Sequence, residues 1–440
     1  MKNIFKIFIL FIIVISLQTF AKDITGKQDK ITGTWLGKLK VPGQELRIVF
    51  NIIENEKGSL TATMESPDQT KQKIPVDTVI INKGNIKLEV KVVDGYFEGN
   101  FNSDSLTLTG RWHQRGNSLP LTLKKVDKIK EAKKSQETKQ SIYTKHEKDV
   151  SIEVNGYKLN GTLLVPLSNK PIDVVLIIAG SGPTDRNGNS TILPGKNNSL
   201  KMLADTLYNN GIASLRYDKR GAGANEIINE SNLTFDMFVN DAVEWVKFLR
   251  KGKRFSKIIL AGHSEGSLIG MIAARRTNAD MFISLCGAGR PIYSVLEEQF
   301  KNGNVSEKLL NESKTIIDSL KQGIMVTIKN TSPFISKYFR SSVQPFLISW
   351  FKYDPAKEIS KLSIPVLVVE GATDLQVHVK DAKLLANADK KAKLVIVKDM
   401  NHVLKDVPTR NRMENFKSYS NPDLPLSKEL CRDIIKFIKQ

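Results

Sequence analysis

The stretch Lys257–Ile272, KIILAGHSEGSLIGMI, decides the fold of the longer part of this chain. Ile258-Ile259-Leu260-Ala261 is an aliphatic, β-branched run that predicts a buried strand. Gly262-His263-Ser264-Glu265-Gly266 interrupts it, and Ser267 to Arg276 continues as a predicted helix. Gly-x-Ser-x-Gly takes its meaning from that strand–turn–helix setting, which strains the backbone between the glycines and holds the serine oxygen proud of a sheet. The backbone N–H that follows, at a helix start, is placed to donate to an oxyanion. The alternative is an ordinary glycine-rich turn.

Outward from this stretch, buried runs alternate with helical patterns. Val150 to Val154 and Lys158 to Val165 flank Asn155-Gly156, a hairpin signal. Further strands are predicted at Asp173–Ala179, Ile212–Tyr217, Met281–Leu285, Ile364–Glu370 and Ala392–Val397, with helices at Ser199–Asn210 and Phe235–Lys251. The alternation predicts an α/β fold with a doubly wound, mainly parallel sheet over residues 150–440. It breaks between Pro291 and Lys361, where about seventy mostly helical residues exceed a single crossover. They read as a helical cap, with Phe346 and Trp350 candidate walls of a substrate pocket. The alternative is that these aromatics only pack the insertion onto the core.

A serine hydroxyl needs a base, and the base must be oriented. Of five histidines, His113 lies in a β-rich region, His146 in a charged stretch, and His263 next to the serine, where the turn is expected to point its ring away. In this architecture the acid follows a late strand and the histidine follows the last one. Gly371-Ala372-Thr373-Asp374 ends one strand and Lys398-Asp399-Met400-Asn401-His402 ends the next. Ser264, Asp374 and His402 are therefore the candidate catalytic residues; Asp399 is the rival acid, and His378 reads as a rim residue. Ala179-Gly180-Ser181-Gly182-Pro183 would supply the second oxyanion donor, so the pair is the backbone N–H groups of Ser181 and Glu265. Gly180-Ser181-Gly182 lacks the third glycine of a dinucleotide fingerprint, and Gly195-Lys196 has the wrong spacing for a phosphate loop. No cofactor or metal is called for.

The N-terminal third has another texture. Met1 to Ala21 carries Lys2 and Lys6, the apolar run Ile7 to Leu17 and a small residue at Ala21, the layout of a signal peptide directing secretion or periplasmic export. An uncleaved anchor is the alternative. Residues 32–126 alternate apolar and polar (Leu46, Ile48, Phe50, Ile52; Leu119, Leu121, Leu123) between turn signals. That predicts an all-β domain of about eight short antiparallel strands, lipocalin-like in pattern, closing as a barrel or sandwich. Trp35, Phe50, Phe97, Phe101 and Trp112 read as its core, or as the lining of a ligand pocket. Residues 127–149 form a charged linker.

The net charge of +20 is spread over scattered lysines without a nucleic-acid motif, so nucleic acid is not an expected partner. Association with an anionic envelope surface, or coding bias, accounts for it more simply. Cys286 and Cys431 read as two buried thiols rather than a disulfide.

Residues from about 150 onward resemble the α/β-hydrolase family, in particular bacterial carboxylesterases and serine-aminopeptidase-like hydrolases. The resemblance rests on AGSGPTDRNGNS (Ala179–Ser190), LRYDKRGAGAN (Leu215–Asn225) and GHSEGS (Gly262–Ser267). Asp374 and His402 match the family's acid and base positions. The resemblance implies a serine hydrolase acting on short acyl esters, small molecules that need no cofactor. The charged residues after Tyr217 are expected to hold a turn. A peptidase or amidase is the nearest alternative, and an envelope binding protein with an inactive hydrolase domain is another.

Overall fold

The computed structural model describes residues 31–41, 44–55, 58–68, 73–82, 84–114, 117–127, 146–190, 195–303, 305–328 and 332–440. The segment 1–21, read as a signal peptide, and most of the expected linker 127–149 lie outside them. Two units divide the chain, Met1–Ser135 and Gln136–Gln440.

The first unit is one antiparallel sheet. In chain order its strands are β1 (Gly33–Val41), β2 (Gln44–Glu54), β3 (Leu60–Glu65), β4 (Ile74–Val76), β5 (Thr78–Asn82), β6 (Asn85–Val90), β7 (Gly95–Asn102), β8 (Thr107–Gln114) and β9 (Asn117–Val126). Their spatial order is β4-β3-β2-β1-β9-β8-β7-β6-β5. Contacts of β3 with β5 and of β4 with β6 bring the two ends of this order together, so the sheet curls into a nearly closed barrel. Among the described residues nine strands stand where the alternation predicts about eight. The chain bends at Asp77, between β4, which pairs with β3, and β5, which pairs with β6, and the Asp77 carboxylate accepts from the Lys91 N–H at 2.7 Å. Trp35, Phe50, Phe97 and Trp112 are buried and fill the interior, with Phe101 edge-on to Trp35 at 5.8 Å.

The second unit is α/β. Its strands are β10 (Glu147–Val154), β11 (Tyr157–Leu164), β12 (Ile172–Ile178), β13 (Ala213–Tyr217), β14 (Phe255–His263), β15 (Met281–Leu285), β16 (Val366–Gly371) and β17 (Lys393–Val397). They run in the order β10-β11-β13-β12-β14-β15-β16-β17, parallel from β13 onward. The β10–β11 hairpin turns through Asn155 and Gly156, both at positive φ (52° and 75°), as a two-residue Asn-Gly loop requires. Strand alternation sends Val366 and Val368 to one face of the sheet and Leu367 and Val369 to the other. The first face is covered by α2 (Phe235–Arg250), α3 (Glu265–Thr277) and α9 (Val379–Ala388), the second by α1 (Ser199–Asn209) and α11 (Lys428–Ile438).

Between β15 and β16 lies the helical insertion: α4 (Ile292–Asn302), α5 (Glu307–Lys321), α6 (Pro333–Phe339), α7 (Gln344–Phe351) and α8 (Pro355–Ile359). Pro333 and Pro345 fall in the first turns of α6 and α7, where a missing N–H costs nothing. Phe300, Ile317, Leu320, Ile335 and Phe339 give the insertion its own core. A second set of contacts ties it to α2: Trp350 stacks on Phe235 at 5.6 Å, and Phe346 meets Phe238 at 5.6 Å. The Ser349 hydroxyl also accepts from the Phe235 N–H at 2.8 Å, satisfying a donor at the start of α2. Both aromatics proposed as pocket walls thus have packing partners on the core.

Candidate active site

β14 runs between β12 and β15 and ends at the elbow. Ser264 has φ 55° and ψ −120°, a conformation a non-glycine residue holds only when its surroundings impose it. The surroundings are visible in the flanking glycines. A Cβ at Gly262 would meet the Gly266 carbonyl at 2.1 Å, and one at Gly266 would meet the Ile178 carbonyl at 2.4 Å. Ser264 N–H donates to the Leu285 carbonyl at 2.9 Å, pinning the elbow to β15.

The loop after β16 carries Asp374 and the loop after β17 carries His402. Asp374 Oδ1 accepts from the N–H groups of Gln376 (2.6 Å) and Val377 (3.0 Å), and its Oδ2 accepts from His402 Nδ1 at 2.6 Å. Burial would raise the pKa of this carboxyl, but the adjacent His402 and these hydrogen bonds outweigh it and hold the pKa below the ordinary value. An ionised Asp374 fixes the proton on Nδ1 and leaves Nε2 of His402 as the basic atom. The two loops are laced together: Ala372 and Thr373 N–H donate to the carbonyls of Val397 and Met400, and the Thr373 hydroxyl donates to the Asp399 carbonyl. Asp399 contributes backbone here rather than its carboxylate. His378 instead pairs with Glu298 of α4 at 3.1 Å, and His146 lies against Tyr208. The Ser264 hydroxyl makes no hydrogen bond among the described residues.

His263 does not turn away. Its Nε2–H donates to the His402 carbonyl at 2.7 Å, and the two rings lie 4.9 Å apart. The elbow reorients Ser264, but His263 still obeys strand alternation, on the face of Ile259 and Ala261 where Met400 and Leu404 of the His402 loop pack. Burial among these groups, with the nearby His402 charge, lowers its pKa to about 4, so it braces the base loop as a neutral ring.

Beneath the acid lie Glu370 and Cys286, both fully buried. Burial, then the Asp374 charge, drives the Glu370 carboxyl well above its usual pKa; burial and the same acids do so for the Cys286 thiol. Cys286 Sγ, Asp374 and His402 offer atoms within 4.8 Å of one another. Within that group Asp374 and His402 are already joined to each other by the 2.6 Å hydrogen bond. Cys286 and Cys431 are both free thiols, the latter half-buried on α11.

The candidate oxyanion donors lie on the loop after β12 and at the start of α3. Gly180 passes so close to the elbow that a Cβ there would reach the Ser264 Cβ at 3.1 Å. The N–H groups of Ser181 and Glu265 have no acceptor among the described residues. The charged run after Tyr217 was expected only to hold its turn. Asp218 does so, accepting from Arg186 (2.6 Å) and the Ala224 N–H, and Arg220 pairs with the buried Asp241 at 2.6 Å. Lys219 instead reaches the Gly180 carbonyl (3.0 Å) and the Glu265 carboxylate (2.5 Å).

Residues 196–405 match the family profile described as serine aminopeptidase, S33. The chain is similar to the esterase EstD of Thermotoga maritima, 28% identical over 301 residues that cover 66% of this chain and 68% of that protein. Among solved structures it is similar to Est1E of Butyrivibrio proteoclasticus bound to ferulic acid, at 18% identity and TM-score 0.41, covering 66% of this chain and 100% of the other. It is also similar to the Pyrococcus furiosus esterase Pf2001, at 16% identity and TM-score 0.43, covering 67% and 90%. Together these likenesses support an α/β-hydrolase, esterase-like family for the α/β unit.

Proposed function

We propose that the chain is a serine carboxylesterase working through an acyl-enzyme. Ser264 attacks the ester carbonyl while Nε2 of His402 takes its proton. Asp374 holds the imidazole and stabilises its charged form, and the N–H groups of Ser181 and Glu265 receive the oxyanion. His402 then returns the proton to the leaving alcohol, and a water, deprotonated by the same nitrogen, releases the acid. The observation that carries the reading is the 2.6 Å bond from His402 Nδ1 to Asp374 at adjacent strand ends, with His402 held against His263 of the elbow that strains Ser264. The esterase named among the relatives supports an ester substrate. The basic, apolar start of the chain supports export.

The test is turnover of p-nitrophenyl esters of rising chain length beside aminoacyl anilides, with wild type and Ser264→Ala. Ester hydrolysis lost by a factor of about 10⁴ or more in the variant is the expected result. Anilide cleavage without ester cleavage would make the protein a peptidase instead. Activity surviving in Ser264→Ala would remove the serine mechanism.

A further inference from the structure

We propose that Lys219 positions both oxyanion donors at once, an inference that rests on Ser181 and Glu265 N–H being those donors. Lys219 follows β13 and is 3% exposed. All the directions its ammonium offers are occupied: the Gly180 carbonyl at 3.0 Å, Glu265 Oε1 at 2.5 Å, and the Phe238 ring, whose centroid lies 4.4 Å away.

The first two contacts belong to the two halves of the oxyanion site. The Gly180 carbonyl and the Ser181 N–H are ends of one planar trans peptide and point in opposite directions. Holding the oxygen therefore aims the N–H, and a cation on the oxygen makes that N–H a stronger donor. On the other side the ammonium anchors the Glu265 side chain, and so the first residue of α3, whose own N–H is the second donor. Loops that leave β12 and β14 separately are thereby set relative to each other by one charge.

A merely structural account is available, since a buried lysine must be paired wherever it sits. It does not explain the choice of partners. A carboxylate alone would satisfy the charge, and a buried ion pair is a poor source of stability compared with apolar packing. The geometry points to alignment of the N–H groups, which matters only when negative charge develops on the substrate oxygen.

The experiment uses the full chain carrying Lys219→Met with Glu265→Gln, which removes both charges together and leaves neither stranded. The double variant is expected to lose about 10²–10³ in kcat, with KM within threefold of wild type and a urea midpoint close to it. Affinity for a phenylboronic acid, which forms a tetrahedral adduct on the serine, should fall in parallel. A folded double variant with kcat within threefold of wild type would overturn the proposal. Should the double variant not fold, Glu265→Gln alone decides: a drop of about tenfold in kcat at unchanged KM supports alignment, and an unchanged kcat refutes it. Failure of the underlying reading is told apart by Ser264→Ala. If that variant stays active, the site itself is misassigned, whatever Lys219 does.

Discussion

The two units of this chain bury different things. Among the described residues of the β unit, Ser66 is the one buried polar side chain, and the interior is Trp35, Phe50, Phe97, Trp112 and their aliphatic neighbours. The α/β unit buries Lys219, Arg220, Glu265, Glu370, Asp374 and His402, among others, near the ends of its strands or in the loops that follow them. Charge is expensive to bury unless each group finds a partner. An interior that avoids the cost altogether is a packing device. One that accepts it at one end of a sheet is organised for chemistry, and substitutions in the two interiors should fail differently.

The largest effect is expected at the acid. Asp374→Asn should lower kcat about 10⁴-fold by stabilising the wrong tautomer of His402, while the protein stays folded. A loss below tenfold would shift the orienting role elsewhere. In the β unit the corresponding change, Phe50→Ala, should cost about 3–5 kcal/mol of that unit's stability. It should leave kcat of the folded protein unmoved; a matching fall in kcat would mean the β unit completes the site.

A pH experiment separates buried charge from buried neutral groups inside the α/β unit. His263 is depressed to about 4 when folded, against about 6.5 when unfolded. The unfolded chain therefore binds more protons in between. Its contribution is complete above pH 6.5 and drains as pH falls to about 4, on the order of 3 kcal/mol in all. His263→Gln keeps an N–H for the His402 carbonyl but cannot titrate, so its urea stability should fall less over that window. Equal slopes for the two proteins would contradict a neutral brace. The smallest effect is expected from removing the β unit: a chain beginning at Ser141 should keep kcat on a small soluble ester within about threefold. Loss of activity in a folded truncation would tie the two units together in catalysis.

What could be read from the sequence follows the same division. Strand alternation and the order serine, acid, histidine are local or sequential properties, so the sheet, the elbow and the Asp374–His402 pair were legible. Contacts between loops are not. Lys219 meets Gly180 and Glu265 across 39 and 46 residues, and His263 meets His402 across 139. Nothing in the type of residue distinguishes a lysine holding its own turn from one holding the next loop. His263 had a usable signal, the period-2 face shared with Ile259 and Ala261, but the glycines drew the reading toward the turn. Phe346 and Trp350 stayed ambiguous because a pocket wall and a packing seam call for the same apolar side chains. The ninth strand was not legible because β4 and β5 are separated by one residue and differ only in their pairing partners, β3 and β6.

The site of covalent inactivation tests directly whether Ser264 is the nucleophile. The full-length protein would be treated with an alkyl fluorophosphonate, its residual esterase activity followed, and the modified residue located by peptide mass spectrometry. One phosphonyl group per chain is expected, on Ser264, appearing in step with loss of activity and absent from Ser264→Ala. Inactivation with the label on another residue, or full activity retained while Ser264 is modified, would contradict it.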